Sequence, residues 1–512
     1  MKRTRKWNEN RIGQDGTRAV LFSTQAGARL YLTWLILNGK LRPSAPERRE
    51  KIGSFPLFEE EIVEMEMQGT KKVGVLGERN MRWYFGTQLP SLACSMLQTA
   101  VLSMIVYDNT KGSTYAIGLV WLWQMLPCCI FAPFAGVLLD KVSKKKVMLV
   151  TQFLGVIQGG ALAYLQLTGK LELSDIYWLS FFLGLITAVD GPARNAIVKD
   201  SVWHEYNVRP AATMFTSLYN FGQVIGPGLA GLLTASVGEG GVFVINALSF
   251  IPVIVALCMM NMRPPTIEMI KEEKKSVWEH VKAGAAYTFR HPEIRACIAV
   301  TFSVTCFGFS YLWALPGVSV EMFGKDRAIY SWLAASGGFG AFIGSLCAIA
   351  FAELKKGLKV VPKQENVGWQ IWQRIWRWVL LTKQFVSAQA GRLQVWQITC
   401  VAMLISAGGT VWFSKAHSVN EAMAGLTLMG FGSMTAFSVA RSTIPHLAVR
   451  EMIGIVMGYT ISAFFTGMVA SSRFGGMIAD TYGSRELFLY SGIAFALSAA
   501  GAACWPAFRK VD

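Results

Sequence analysis

Twelve apolar runs alternate with polar connections along most of the chain, at about residues 83–106, 115–139, 147–167, 176–196, 212–235, 241–260, 296–316, 330–352, 396–413, 420–440, 453–478 and 487–505. Each approaches the roughly 20 residues that carry a helix across the hydrocarbon core of a bilayer. A strand edge or open loop at that depth would leave backbone N–H and C=O groups without partners, so the runs predict helices. Three polar stretches interrupt the alternation, at residues 1–80, 261–295 and 353–395. The expected fold class is an all-α membrane protein with twelve transmembrane helices.

Composition agrees: 53% of the 512 residues are hydrophobic, 16% are charged and the mean hydropathy is +0.37, too apolar for a soluble chain. The net charge of +17 would suit a nucleic-acid partner if it were clustered on a soluble face. Instead it is distributed by side. With the first residue on the cytoplasmic side, both tails and the even-numbered connections with their span ends hold 42 of the 49 Lys and Arg. The other side holds six: Lys111, Lys170, Lys325, Arg327, Lys415 and Arg485. Leaving out the 16 cations of residues 1–82, the ratio is still 26 to 6. Short basic loops stay on the side of synthesis, so the basicity reads as an orientation signal, with both termini cytoplasmic and no nucleic-acid partner expected.

The nine cysteines lie within or beside apolar runs without a C-x-x-C pair, and the five histidines (His204, His280, His291, His417, His446) fall in connections. No metal site and no cofactor is expected. The chain also lacks H-x-x-x-D, H-E-x-x-H and G-x-S-x-G patterns, which argues against an embedded enzyme.

An internal repeat divides the runs six and six. Ala193-Arg194 followed by Ile197 recurs as Ala440-Arg441 followed by Ile444, and 441 minus 194 gives an offset of 247. Two pseudo-symmetric six-helix bundles follow, related by an axis along the membrane normal. The expected domains are a cytoplasmic extension over 1–80 (disordered, or upstream of the true start), a bundle over 81–260, a linker over 261–295, a second bundle over 296–506 and a tail over 507–512. The linker should carry a surface helix near 277–289. Within the insert 353–395, Trp369, Trp372 and Trp376 share an apolar face opposite Arg374 and Arg377, the signature of an interfacial helix.

The densest motif is Gly136-Val-Leu-Leu-Asp140-Lys141-Val-Ser-Lys144-Lys145-Lys146, a carboxylate and four cations between the second and third runs. It resembles the loop between the second and third helices of the major facilitator superfamily of secondary transporters. Leu218 to Leu233 reads LYNFGQVIGPGLAGLL and is similar to the fifth-helix pattern of that superfamily's proton-exchanging exporters, carried here by Gly222, Gly226, Pro227, Ala230 and Gly231. With Asp190-Gly-Pro-Ala-Arg194 and Asn246-Ala-Leu-Ser-Phe250, the chain resembles the branch that contains the enterobactin exporter and macrolide efflux carriers. Lys141 stands where the superfamily usually has Arg, and a lysine cannot make the bidentate fork.

The resemblance implies a multi-pass carrier of the plasma membrane, a bacterial inner membrane, acting as a monomer on a small molecule. Export of a siderophore or a hydrophobic drug-like compound leads, with protons as the candidate coupling ion. Uptake of a lysophospholipid or peptide, and a non-transporting receptor or scaffold, are the alternatives. A cytoplasmic latch is expected from Gly136, Asp140, Lys141, Lys144, Lys145, Asp190, Arg194 and Arg441. The glycine-proline cluster of the fifth run should bend its helix. Candidate cavity residues are Gln98, Gln124, Gln152, Asn220, Gln223, Tyr311 and Trp313, polar or aromatic within the runs, joined by Arg473, an intramembrane cation at the repeat position of Gly226.

Overall fold

The computed structural model describes residues 74–204, 207–262, 277–324, 327–355, 394–449 and 452–511. The expectations for residues 1–73 and for the interfacial tryptophans Trp369, Trp372 and Trp376 lie outside these. Among the described residues the chain is helical and no strand occurs. Eleven helical stretches are long and apolar enough to cross a membrane.

The difference from twelve is one of counting. Val208–Met259 is a single run of 52 residues, and at about 1.5 Å per residue a straight helix of that length would reach about 78 Å, more than twice a bilayer core. It is interrupted at Gly238, whose φ of 73° and ψ of 171° belong to no helix and suit only a residue without Cβ. Both ends return to one place: Asn207 Nδ2 donates to Glu78 (2.7 Å), and the Asn261 amide donates to Asn80 (3.3 Å). The fifth and sixth spans are thus the two legs of this element, and the spans among the described residues number twelve.

The others are the first (Arg79–Asn109), second (Thr114–Lys141), third (Lys144–Leu167), fourth (Leu173–Ser201), eighth (Arg327–Lys355), ninth (Val395–Ser414), tenth (Val419–Leu447), eleventh (Ile453–Tyr482) and twelfth (Ser484–Cys504). The seventh is composite, with Pro292–Ser303 and Tyr311–Phe323 joined through a π-helical turn at Val304–Gly308. Capping fixes several starts. Ser113 accepts from the Ala116 amide and Ser418 from the Glu421 amide, while Glu172 and Asp175 form a reciprocal box.

The two six-span halves meet along two seams, the second span against the eleventh and the fifth against the eighth. Small residues allow the approach. A Cβ at Gly118 would run into the Ser472 carbonyl, one at Gly476 would lie 2.9 Å from Tyr115 Cα, and one at Gly338 would lie 3.0 Å from Val224 Cα. The Gly231 amide donates to Ser331 Oγ across the second seam (2.9 Å). At the face opposite Glu78, Asp480 of the eleventh span accepts from Ser113 Oγ (2.6 Å) and the Tyr115 amide (3.0 Å), so one half caps a helix of the other.

The linker contains a helix, Val277–Arg290, that touches both halves. Trp278 stacks on Phe134 of the second span at 6.0 Å, while Val281 and Tyr287 hydrogen bond with Tyr459 and the Val449 amide.

Candidate functional site

The fourth and tenth spans carry the repeated arginines, and the surroundings of the two differ. Arg194 follows Asp190 by four residues, which puts both on one helix face. Its Nε donates to Asp190 Oδ2 and its Nη1 to Gln88 Oε1 of the first span. The other carboxylate oxygen accepts from Thr151 (2.7 Å) and Gln152 (2.9 Å) of the third span. All these side chains are buried. An ion pair in that setting persists because each charge is satisfied by its partner and by neighbouring dipoles. Around it, Tyr84 Oη, Gln88 Nε2, Ser91 Oγ and Gln152 Oε1 are buried without a hydrogen-bond partner among the described residues.

In the tenth span the position equivalent to Asp190 is Phe437, since 437 minus 190 is again 247. Arg441 therefore lies over a ring, 5.8 Å from the Phe437 centroid, instead of beside a carboxylate. Among the described residues it has no ion pair and no hydrogen bond. Phe437 belongs to a triangle with Phe464 of the eleventh span (5.1 Å) and Phe309 of the seventh (6.1 Å), closed by the Phe309–Phe464 contact at 6.0 Å. From the other half, Tyr219 interacts electrostatically with both arginines and hydrogen bonds with Gln223. Tyr219 is 38% exposed.

The sequence-derived cavity list divides on this frame. Gln223 fits it, and the Asn220 side chain lies outside the described ones. Gln98 instead sits within the first half, bonded to Gln158 (3.3 Å) and Asn246 (2.7 Å), and Gln152 is committed to Asp190. Gln124 is buried in the second span, against Gly184 of the fourth. Tyr311 is buried, and Trp313 is buried with its indole N–H on Ser471 (3.1 Å). These polar groups are spent inside the packing. Arg473 is half-buried at the seam near the Asp480 face, 4.9 Å above the Tyr115 ring, with its Nη1 buried and without a partner among the described residues.

The expected latch is rearranged. Gly136, Asp140 and Lys141 end the second span, and their side chains lie outside the described ones. Lys144 pairs with Asp200 at 2.8 Å, and Lys145 donates to the carbonyls of Cys258 (3.2 Å) and Met260 (2.8 Å), both at the end of the sixth span. Asp190 lies more than two turns deeper than Asp200 and is taken by Arg194, so it is not the partner of those lysines. The residue that sequence reasoning missed is Asp200. Its signal was present, a carboxylate ten residues after Asp190 at the same polar end. The fifth-span motif is helical through Pro227. Gly222 and Gly226 receive Leu92, Ala93 and Met96 of the first span, and Gly228 and Gly231 face Ala335 and Ser331 of the eighth, while Ala230 is buried.

Beside the first span, Glu78 collects donors from the Trp203 amide (2.8 Å), Asn207 and His204 (3.2 Å). Burial alone would raise its carboxyl, but the hydrogen bonds from Asn207, the Trp203 amide and His204 outweigh it. They hold the group below its ordinary value of 4.5.

A family model described as transmembrane secretion effector, of the major facilitator type, matches residues 78–360, more than half of the chain. Macrolide efflux protein A of Streptococcus pyogenes is 24% identical over 289 residues, which cover 55% of this chain and 70% of that protein. The staphyloferrin A transporter of Staphylococcus aureus is 23% identical over 247 residues, 48% of this chain and 60% of the relative. Among solved structures, a bacterial homologue of the human lysosomal transporter Spinster superposes with a TM-score of 0.59 at 11% identity, covering 85% of this chain and 98% of that one. The last likeness concerns the fold.

Proposed function

The chain belongs to the transmembrane secretion effector family of major facilitator transporters, and from that premise we propose that it exports a siderophore or a hydrophobic drug-like molecule in exchange for protons. The observation that carries the reading is the pair of seams. Halves that meet through glycines and a few hydrogen bonds can part on one side and close on the other without unpacking either core, which is what alternating access around a central site requires. The efflux and siderophore relatives support the substrate classes.

The Glu78 face is the cytoplasmic one in this reading, in a bacterial inner membrane, because the basic connections gather there. The Asp480 contacts would then close the outer side. Lys144–Asp200 and the Lys145 cap tie the cytoplasmic ends of the third, fourth and sixth spans, so the first half moves as one body. The protein works as a monomer.

Inverted membrane vesicles test the proposal. Vesicles containing the protein should accumulate erythromycin, ethidium or staphyloferrin A when a proton gradient is imposed, and release the gradient as they do so. Accumulation no greater than in vesicles without the protein, for all three compounds, would reject it. Accumulation that ignores the gradient would reject the proton exchange alone.

A further inference from the structure

We infer that Arg441 with the Phe437–Phe464–Phe309 triangle, facing Tyr219 and Gln223, is a binding site for an organic anion whose negative group lies about one helical turn from an aromatic ring. The inference rests on the transporter reading and narrows its substrates to the anionic members of the classes named there. A guanidinium cannot shed its proton, and a cation drawn into helix packing, here within two turns of the end of the tenth span, is costly unless something compensates it. The first half solves this internally: Asp190 and Gln88 occupy the Arg194 guanidinium. At the same register the second half has a ring, which offers a cation a weak face but no hydrogen-bond acceptor. Arg441 is thus left with its donors free among the described residues, next to three mutually packed rings from three spans.

The arrangement selects on two features. The guanidinium fork is matched to a carboxylate or another planar oxyanion. The half-buried rings of Phe437 and Phe464 offer faces to an aromatic body, and ring pairs of this geometry stabilise beyond their buried area. Position 437 precedes 441 by four residues, about 6 Å of rise, which sets the distance between charge and ring. Tyr219 and Gln223 add polar groups from the opposite half, so a bound anion would touch both halves at once. Arg473, the cation inside the eleventh run, is placed differently. It is held over Tyr115 in the seam near the Asp480 face, where the second and eleventh spans are already in contact.

The test uses the purified full chain in lipid nanodiscs, with 2-naphthoate and its neutral amide as probes and chloride as a bare charge. The parent should prefer naphthoate to naphthamide by about tenfold or more, and chloride at equal concentration should not displace it. Arg441→Gln should remove that preference without changing naphthamide binding, and Arg441→Lys should keep part of it. Phe437→Asp supplies the second half with the internal carboxylate that the first half has, and should abolish the preference while leaving the arginine in place. Should Phe437→Asp fail to fold, Arg441→Gln decides. A parent without the preference, an Arg441→Gln protein that keeps it, or equal loss of both probes would overturn the inference. Because vesicle accumulation is a separate readout, a carrier that still moves erythromycin after any of these results leaves the transport reading standing and this site refuted.

Discussion

Arg194 and Arg441 occupy equivalent positions in the two halves, and one residue a turn earlier makes their environments opposite. Asp190 turns the first into a closed, buried network with Thr151, Gln152 and Gln88, whereas Phe437 leaves the second a cation over rings. The same residue type in the same backbone setting is in one half part of the framework and in the other an unused set of donors. A repeat can therefore keep its fold while assigning structural and binding work to different copies. The difference lies in whether the charge is compensated from within.

The comparison is broken most directly at Asp190. Asp190→Leu leaves a buried guanidinium without its counter-charge and should cost about 3–5 kcal/mol, read as a lower unfolding midpoint in detergent. Adding Arg194→Met to it should recover much of that loss, since the apolar pair leaves no charge stranded; additive losses would show that the two residues are not one unit. Next in size is Arg441→Met, for which no carboxylate is stranded among the described residues. Its stability should stay within about 1 kcal/mol of the parent, and a drop as large as that of Asp190→Leu would erase the contrast between the halves.

The smallest effect is expected at Glu78, remote from both arginines. A carboxyl held below 4.5 in the folded state contributes stability that is present above pH 4.5 and is lost as the pH falls through the lower folded value. Protection of the Trp203, His204 and Asn207 amides, taken relative to the intrinsic exchange rate at each pH, should therefore fall between about pH 5 and pH 3, and Glu78→Gln should show the reduced protection throughout, with the second half unaffected.

How far the sequence could be read follows from these particulars. The twelve runs and the offset of 247 were legible because hydropathy and an Ala-Arg-x-x-Ile pattern do not depend on neighbours. The Asp190/Phe437 difference was legible from the same offset and needed only the comparison of one more position. Asp200 was hidden because the fourth helix runs to Ser201 while its apolar stretch ends near 196, so Lys199 and Asp200 read as a connection. Gln98, Gln152 and Trp313 were misplaced for another reason. A helix apolar on all sides gives little sign of which face meets a cavity and which meets its own bundle, and only packing decides.

The ties at Glu78 and Asn80 also bear on biogenesis. These residues open the first span, yet their partners include Asn207 and Asn261, the last of which leaves the ribosome some 180 residues later. The start of the first span meets partners already at the end of the fourth, at Ser201, Trp203 and His204, but the set is complete only when the sixth has been inserted. Once it has, the first bundle can close on residues of its own before the linker helix and the second bundle are made. Nascent chains arrested just after residue 261 would then already possess a folded half, and the second half would assemble against a finished template rather than alongside a moving one.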